Sequence, residues 1–304
     1  MGKPFASQVY QGRSSKRCLA GILALIMLVW SAPVYSCTLW GATGSSTAGD
    51  VTLIAKNRDW KPGQTHDLRQ IRPPIGYMYL GLFAYGGDSP GLKAGINEKG
   101  LVVVTATASV IPGEERSSAD GDPISSHEIL TSFATVDELL EHKDRFIRSS
   151  YYMVADSTKV AVFEGAPDGK VGVRVTDNGF LAQTNHYISP ELQFLNGRAS
   201  ESSRKRYARI TKLLDSQSDQ LTLENFVSFS EDTNAGPDNS IFRVGSSPKR
   251  SSTVATWIVA IPAGGVPELY MTMERSGQPA VAYSGKLDAA FWGVRTAMVK
   301  ATDS

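Results

Sequence analysis

Residues 37–43 read CTLWGAT and residues 51–57 read VTLIAKN, two short runs rich in apolar and β-branched residues. Three similar runs follow before residue 110: GYMYLGLFAY, GLKAGIN and LVVVTATA. Gly, Asp, Pro and Asn separate them, and short apolar runs bounded by such turn residues are typical of β-strands. The sequence therefore predicts a sheet in the part of the chain that follows residue 36.

Helices and further strands are predicted beyond this sheet. Ser125 with Glu128, and Thr135 with Glu138, each form the S/T-x-x-E pattern that caps the start of a helix. YYMVADSTKVAVFEGA and VGVRVTDNGFLAQTN are typical of hairpins, with 177–179 as the turn of the second. Helical periodicity returns in ESSRKRYARITKLLDSQ and TLENFVSFSED, before the strand-like runs STVATWIVAIP and PELYMTME.

This alternation of strands and helices predicts an α+β fold in which helices cover antiparallel sheet. STVATWIVAIP, residues 252–262, is apolar almost throughout, which predicts a strand buried on both faces. A core of two stacked sheets between helices agrees with this pattern.

The N-terminal residues have the three parts of a secretory signal. A basic stretch at 13–17 precedes an apolar run at 19–30, which is too short to span a bilayer as a helix. Val34 and Ser36 would take positions −3 and −1 of a cut before Cys37. We therefore expect a signal peptide over 1–36, a single domain over 37–304, and a periplasmic or secreted protein; an uncleaved anchor helix is the alternative.

Composition excludes several classes of partner. The formal net charge is +1, so no charge excess indicates nucleic acid or a membrane surface. The four histidines are scattered without metal-ligand spacing, and we expect neither a metal nor a cofactor. Oligomeric state is open, and a homo-oligomer is possible.

The chain has two cysteines, and removal of the leader would leave only one of them. Cys18 lies inside the predicted leader, so Cys37 would be the single thiol of the mature protein. Three interpretations are open: a lipid anchor, a buried inert side chain, or a nucleophile. Tyr35 stands where a lipid-attachment signal has a small residue, which disfavours the anchor.

A cut before Cys37 would give the nucleophile its own base. A free α-amine has a reference pKa of about 8, close to that of a thiol, so it can take the thiol proton near neutral pH. LIAKNRDW brings Lys56 and Asp59 to the end of the next strand, where a carboxylate can hold the amine and a cation can favour the thiolate.

Five segments in order resemble one enzyme group: CTLW, AKNRDW, GINEKGLVVV, TNHY and ESSRKRY. They resemble the choloylglycine hydrolase and penicillin V acylase group of N-terminal-nucleophile hydrolases, which is related to the acyl-CoA:6-aminopenicillanate acyltransferases. The resemblance covers about 37–273. It implies a four-layer αββα sandwich of two antiparallel sheets between helices.

The resemblance implies a role for each matching residue. Cys37 is the nucleophile, and Asp59 is the aspartate that holds its amine. Lys56 stands where the family has an arginine; lysine keeps the charge without the planar fork, and Arg58 lies two residues further on.

The remaining matches concern the oxyanion and the surroundings of the thiol. Asn185 would donate its side-chain amide to the oxyanion, and the backbone near Thr107 or Ala108 would supply a second donor. Arg206 matches the family's S-S-x-x-R-F/Y arginine near the thiol. A papain-like pair of Cys37 with His186 is disfavoured, because the flanks of Cys37 do not resemble that family.

The function that the resemblance implies is hydrolysis of a linear amide C–N bond in a small N-acylated molecule, through a thioester. Two alternatives are open: an acyltransferase of the same fold that passes the acyl group to an amine, and a non-catalytic surface lipoprotein anchored through Cys37. The sequence does not choose between penicillin V, bile salts, acyl-homoserine lactones and lipid amides as substrate.

Overall fold

A computed structural model describes residues 36–61, 63–86, 89–117, 120–217, 220–275 and 278–293. These residues belong to one compact unit, residues 33–304. The predicted leader, except Ser36, lies outside the described residues. None of the described helices is long and apolar enough to cross a membrane.

The described residues form thirteen strands. In chain order they are β1 Ser36–Thr43, β2 Val51–Trp60, β3 Thr65–Ile71, β4 Tyr79–Tyr85, β5 Gly91–Asn97, β6 Val102–Thr107, β7 Ser150–Ala155, β8 Val160–Gly165, β9 Val171–Thr176, β10 Gly179–Gln183, β11 Ser252–Pro262, β12 Glu268–Arg275 and β13 Gln278–Lys286.

Six α-helices and four short 3-10 helices connect or cover these strands. The α-helices are α1 Gly113–Ser117, α2 Ser126–Ser132, α3 Val136–Leu140, α4 Glu201–Asp215, α5 Leu223–Ser230 and α6 Ala289–Gly293. The 3-10 helices are Gly44–Ser46, Lys143–Arg145, Pro167–Gly169 and Pro190–Arg198.

The strands form two antiparallel sheets. The first has the order β10-β1-β2-β11-β12-β13, and the second runs β3 to β9 in chain order. In the first sheet β1 lies between β10 and β2, with Cys37 opposite Arg58. The strand that begins with CTLW is therefore paired on both sides.

Side chains alternate between the faces of each strand, and this alternation builds the layers. One buried cluster, which contains Cys37, Leu39, Val104 and Val160, fills the space between the sheets. Helices α2 and α3 contribute to a second cluster on the outer face of the seven-stranded sheet. Helices α4 and α5 contribute to a third, with β1, β2 and β11. The predicted α+β sandwich of two antiparallel sheets between helices is confirmed.

The predictions of helix caps and of a buried strand depend on residues that are close in the sequence. Ser125 accepts a hydrogen bond from the Glu128 N–H at the start of α2, and Thr135 accepts one from Glu138 at α3. Strand β11 is buried on both faces, since every residue between its two ends is buried. Both predictions are confirmed.

The second predicted hairpin is wrong. Strands β9 and β10 follow each other through the turn at 177–179, but β9 pairs with β8 and β10 pairs with β1. The chain therefore passes from one sheet to the other at this turn, where Gly179 has a φ of 141°. Pairing along β1 brings residues 183–185 to the beginning of β1.

Candidate active site

Cys37 is the second residue of β1, and its environment is closed. The side chain is 3% exposed and lies in the cluster between the two sheets. In the uncut chain its nitrogen is a peptide N–H, which donates to Asn185 Oδ1 at 2.9 Å. The nitrogen that a cut would turn into an α-amine therefore already faces a predicted site residue.

Asn185 follows β10 and connects Cys37 to the second sheet. It is fully buried, and its Nδ2 donates to the Thr107 carbonyl at 2.9 Å. Its backbone N–H donates to Ser203 Oγ at 2.9 Å. An amide group has two N–H donors, so one Nδ2 hydrogen is left for another acceptor.

Arg206 on α4 holds the beginning of β1. Its guanidinium donates to the Cys37 carbonyl at 2.6 Å, to Thr38 Oγ1 at 2.8 Å and to Asn185 Oδ1 at 3.0 Å, and it also contacts Ser36 Oγ. Burial lowers the pKa of Arg206 to about 10, against the opposing effect of Asp59. The predicted arginine therefore contacts the backbone around Cys37 and the predicted oxyanion residue together.

Asp59 lies at the end of β2, opposite Ser36 in the β1–β2 register. Register partners share a face, so the Asp59 side chain lies on the face opposite to the Cys37 thiol. Thr253 Oγ1 donates to Asp59 Oδ1 at 2.8 Å, and Arg243 approaches Oδ2 at 3.6 Å. Burial raises the pKa of Asp59, and the cations Arg243 and Arg206 oppose that rise.

Lys56 is a buried cation on the same face of the sheet as Cys37. Its Nζ donates to the carbonyls of Lys93 and Thr105, at 2.7 and 2.6 Å, on β5 and β6 of the second sheet. Burial lowers its pKa to about 7, and the neighbouring Cys37 acts in the opposite direction. Lys56 thus connects the first sheet, which carries Cys37, to the second sheet by a charged group.

Arg58 does not make the contacts of Lys56. Its Nε donates to His66 Nε2 at 2.8 Å, and its guanidinium lies over the Trp60 ring at 4.5 Å. Burial lowers the pKa of Arg58 to about 10, and Cys37 raises it. Two cations therefore lie on the Cys37 face of β2.

The predicted backbone donors lie at the end of β6. The Thr107 carbonyl accepts from Asn185, so this residue is within the network, and Ala108 is fully buried beside it. His186 points elsewhere, because its Nδ1 lies 2.8 Å from Ser203 Oγ. Burial lowers the pKa of His186 to about 4.

The structure adds residues that the sequence did not indicate. Arg243 and Thr253 flank Asp59, Ser203 holds the Asn185 backbone, and the Lys93 carbonyl receives Lys56. Ser203 lies in the ESSRKRY segment, so the resemblance of this segment to the family could have indicated it. Arg243 lies in an irregular loop before β11 and has no local pattern that would indicate it.

The described residues contain no group of three or more His, Cys, Asp or Glu side chains that could hold a metal ion. The arrangement instead offers a thiol, a nitrogen that would become an amine, amide donors and buried cations. Such a set can attack a carbonyl and stabilise the resulting oxyanion.

Comparisons with known proteins identify a family and relate the fold to solved structures. Residues 46–268 match the family model of acyl-coenzyme A:6-aminopenicillanic acid acyl-transferase, a range that begins after Cys37. A variant of conjugated bile acid hydrolase from Clostridium perfringens has a similar structure, with a TM-score of 0.56 and 16% identity over 83% of this chain and 92% of that one. A Caenorhabditis elegans N-acylethanolamine-hydrolyzing acid amidase ortholog has a TM-score of 0.43 and 14% identity, over 73% of this chain and 92% of that one. No curated protein matches the sequence.

Proposed function

Because the chain belongs to the acyl-coenzyme A:6-aminopenicillanic acid acyl-transferase family, we propose that it is an exported cysteine hydrolase of N-acyl amides, activated by a cut before Cys37. The fold is that of the N-terminal-nucleophile hydrolases. The observation that carries the proposal is the 2.9 Å contact between the Cys37 nitrogen and Asn185 Oδ1. In this proposal, the cut that removes residues 1–36 creates the base.

The first half of the reaction forms a thioester. The Cys37 α-amine takes the thiol proton, and the sulfur attacks the amide carbonyl carbon. The free Nδ2 hydrogen of Asn185 and a backbone N–H near Thr107 or Ala108 stabilise the oxyanion; one such donor contributes about 3–4 kcal/mol at comparable sites. The protonated amine then donates its proton to the leaving nitrogen as the C–N bond breaks.

The second half releases the acid. The amine deprotonates a water molecule, whose oxygen attacks the thioester carbon, and the thiol leaves with its proton restored. Asp59 and Arg206 act at the beginning of β1 rather than on the acyl group. Asp59 Oδ2 lies 3.6 Å from Arg243 and accepts no hydrogen bond from the described residues, so in this proposal it accepts one from the new ammonium.

Acyl transfer is the second candidate, since the matching family model is named for that reaction. An amine would replace water in the second half, with the same residues. Adding hydroxylamine or a small primary amine to a hydrolysis assay and measuring the acylated product by mass distinguishes the two activities.

A lipid anchor on Cys37 is poorly compatible with the burial of its side chain. The sulfur belongs to the cluster between the sheets, and a diacylglyceryl group would have to leave through this packed layer. The intact mass of the exported protein tests this alternative, because the lipid adds several hundred daltons.

The test of the proposed function combines mass spectrometry with two variants. The mature protein is expected to begin at Cys37, to react with a thiol alkylating agent and to form an acyl adduct on Cys37 with at least one of penicillin V, a glycine-conjugated bile salt, an acyl-homoserine lactone or an N-acylethanolamine. Cys37→Ala should abolish both adduct and turnover.

A glycine inserted between Ser36 and Cys37 tests the base separately from the thiol. When it remains on the mature chain, the Cys37 nitrogen is a peptide nitrogen, and turnover should fall by about 10²–10⁴-fold. Full turnover by a chain that carries this extra residue, verified by mass, would refute the proposal.

A further inference from the structure

Asn185 lies in a short irregular segment, residues 184–189, which follows β10. The segment is buried apart from Ile188, which is half-buried. Buried backbone N–H groups outside a strand have no ladder partner, so other groups must accept from them. Ser203 of α4 accepts from Asn185 itself. The partners of the residues on either side of Asn185 therefore help to fix the direction of its amide.

Glu164 holds the part of the segment that follows Asn185. It lies on β8 of the second sheet and is fully buried. Both carboxylate oxygens accept from the Ile188 N–H at 3.1 Å, and Oε2 also accepts from the Ser189 N–H at 3.0 Å. Hydrogen bonds from backbone N–H groups to an ionised carboxylate are stronger than those between neutral groups. The second sheet thus holds the backbone three and four residues after Asn185.

Arg174 holds the part of the chain that precedes Asn185. It lies on β9, and its Nη2 donates to the Ala182 carbonyl at 3.1 Å and to Gln183 Oε1 at 2.5 Å. Gln183 Nε2 in turn donates to the carbonyl of His186 at 2.8 Å. Arg174 therefore contacts the end of β10 directly and reaches the residue after Asn185 through Gln183.

The two side chains form a partly buried ion pair. Arg174 Nη2 lies 3.3 Å from Glu164 Oε1. Burial raises the pKa of Glu164, and Arg174 and the N–H groups of Ser189 and Ile188 oppose that rise. Apolar residues of similar volume often stabilise a fold as well as a buried ion pair does. This pair supplies, in addition, directed hydrogen bonds to the backbone on both sides of Asn185.

We propose that Glu164 and Arg174 are positioning residues, which hold the Asn185 segment from the second sheet so that the Asn185 amide faces the oxyanion. The proposal rests on the proposed function and adds two residues to it. The hydrogen bonds of these two side chains go to each other, to the end of β10 and to residues 188–189, so they act through Asn185 and not on the acyl group.

Glu164→Gln tests the proposal, because it removes the charge and turns one acceptor oxygen into a donor. Two rates are measured on the processed protein: acylation of Cys37 by 4-nitrophenyl acetate, followed as the burst of 4-nitrophenolate, and alkylation of Cys37 by iodoacetamide. Acylation passes through an oxyanion, whereas alkylation needs only the thiol. We expect acylation to slow by about 10–100-fold and alkylation to stay within about twofold. An equal fall of both rates would show general damage to the site and would overturn the proposal.

Asp156→Asn is the matched control. Asp156 follows β7 of the second sheet, is buried, and likewise accepts from backbone N–H groups, those of Val136 at 2.7 Å, Thr158 at 2.7 Å and Lys159 at 2.9 Å. None of these contacts reaches residues 184–189. The substitution should therefore lower the melting temperature without slowing acylation. Acylation that slows as much as in Glu164→Gln would mean that loss of any buried carboxylate has this effect.

Arg174→Gln is a second variant, which decides if Glu164→Gln does not fold. The Arg174 side chain is 17% exposed, so its charge can be removed with less disturbance of the interior. We expect acylation to slow by about tenfold, again with unchanged alkylation. Acylation at the wild-type rate in a folded Arg174→Gln protein would refute the role of the pair.

The same measurements separate failure of this inference from failure of the proposed function. If the wild type is alkylated at Cys37 but forms no acyl adduct with 4-nitrophenyl acetate, the proposed function fails and the positioning role fails with it. If the wild type and both variants are acylated at equal rates, only the positioning role is refuted.

Discussion

Lys56 is the residue at which the chain departs from the arginine that the resemblance implies, and it is a cation whose pKa lies near neutrality. Its ammonium donates to the carbonyls of Lys93 and Thr105 and lies on the thiol face of β2. Burial lowers its pKa to about 7. Deprotonation removes both a donor and the charge that favours the thiolate.

The pH profile of kcat/KM tests this role. Because the α-amine base must be unprotonated, activity should rise with pH on the acid side; we expect the alkaline decline to follow loss of the Lys56 charge, and Lys56→Arg to move that decline to higher pH because a guanidinium stays protonated. The profile is measured with a neutral substrate, so that substrate ionisation does not contribute. Identical profiles for the two proteins would show that the Lys56 charge has no part in turnover.

The lowered pKa of Lys56 also makes the free energy of unfolding depend on pH. The pKa of Lys56 is lower in the folded state than its ordinary value of 10.5, so between about pH 7 and 10.5 the unfolded state binds more protons. The contribution of Lys56 to the free energy of unfolding therefore rises with pH through this window and is smallest below pH 7. Urea unfolding of the wild type and Lys56→Met should give a difference that grows in favour of the wild type from pH 7 to 10.

Residues at the beginning of helix α4 hold Asn185 and the beginning of β1 in place. Ser200 caps it by accepting the Ser203 N–H, while Ser203 Oγ accepts the Asn185 N–H. Arg206, one turn along, contacts Cys37 and Asn185. The beginning of α4 therefore holds both Asn185, the proposed oxyanion residue, and Arg206.

Substitutions of Ser200, the N-cap of α4, and Ser203, in its first turn, distinguish an effect on stability from an effect on the position of Asn185. Ser200→Ala removes a cap and should lower the free energy of unfolding by about 1 kcal/mol. Ser203→Ala leaves the buried Asn185 N–H without its acceptor and should cost about 1–3 kcal/mol. We expect only Ser203→Ala to lower kcat strongly, measured well below the melting temperature of both variants; equal kcat values would argue against a positioning role.

The sequence predicted individual elements better than their partners. Caps, apolar runs and turn residues are local, and they identified α2, α3, β1, β2 and β11. Strand β3, which carries His66, Asp67 and Arg69, lacked an apolar run and was not predicted. The predicted β9–β10 pairing was wrong because the turn residues at 177–179 indicate only that the chain reverses direction. Which sheet each strand joins depends on strands that are distant in the sequence.

The site residues likewise fall into those that local sequence indicated and those that it did not. Cys37, Lys56, Asp59, Asn185 and Arg206 belong to five segments whose order resembles a known family, so their residue types could be recognised together. Arg243 reaches Asp59 from a loop that is distant in the chain. No local pattern records that approach, because it depends on how the loop before β11 folds back over β2.

At the scale of the whole molecule, the spacing of the two sheets constrains the position of Cys37, the proposed nucleophile. Gly41 lies on β1, on the face that carries Cys37, and a Cβ there would stand 2.9 Å from Val160 Cγ1 on β8 and 3.1 Å from the Leu53 carbonyl. Real Cβ atoms essentially never lie within 3.0 Å of another heavy atom, so β1 and β8 leave no room for a side chain at Gly41. A methyl group at Gly41 must therefore displace Val160 or separate the sheets.

Gly41→Ala should accordingly destabilise the fold by about 1–3 kcal/mol and lower kcat, since β1 carries Cys37. In Gly41→Ala/Val160→Ala the new methyl group occupies space that the valine vacates, so the double variant should lose less stability than the sum of the single variants. Urea unfolding measures all four corners of this cycle. Gly197→Ala serves as the control, because a Cβ there would meet nothing within 4 Å. Strict additivity of the two substitutions would mean that the new methyl group does not press on Val160, and that contact between β1 and β8 does not constrain Cys37.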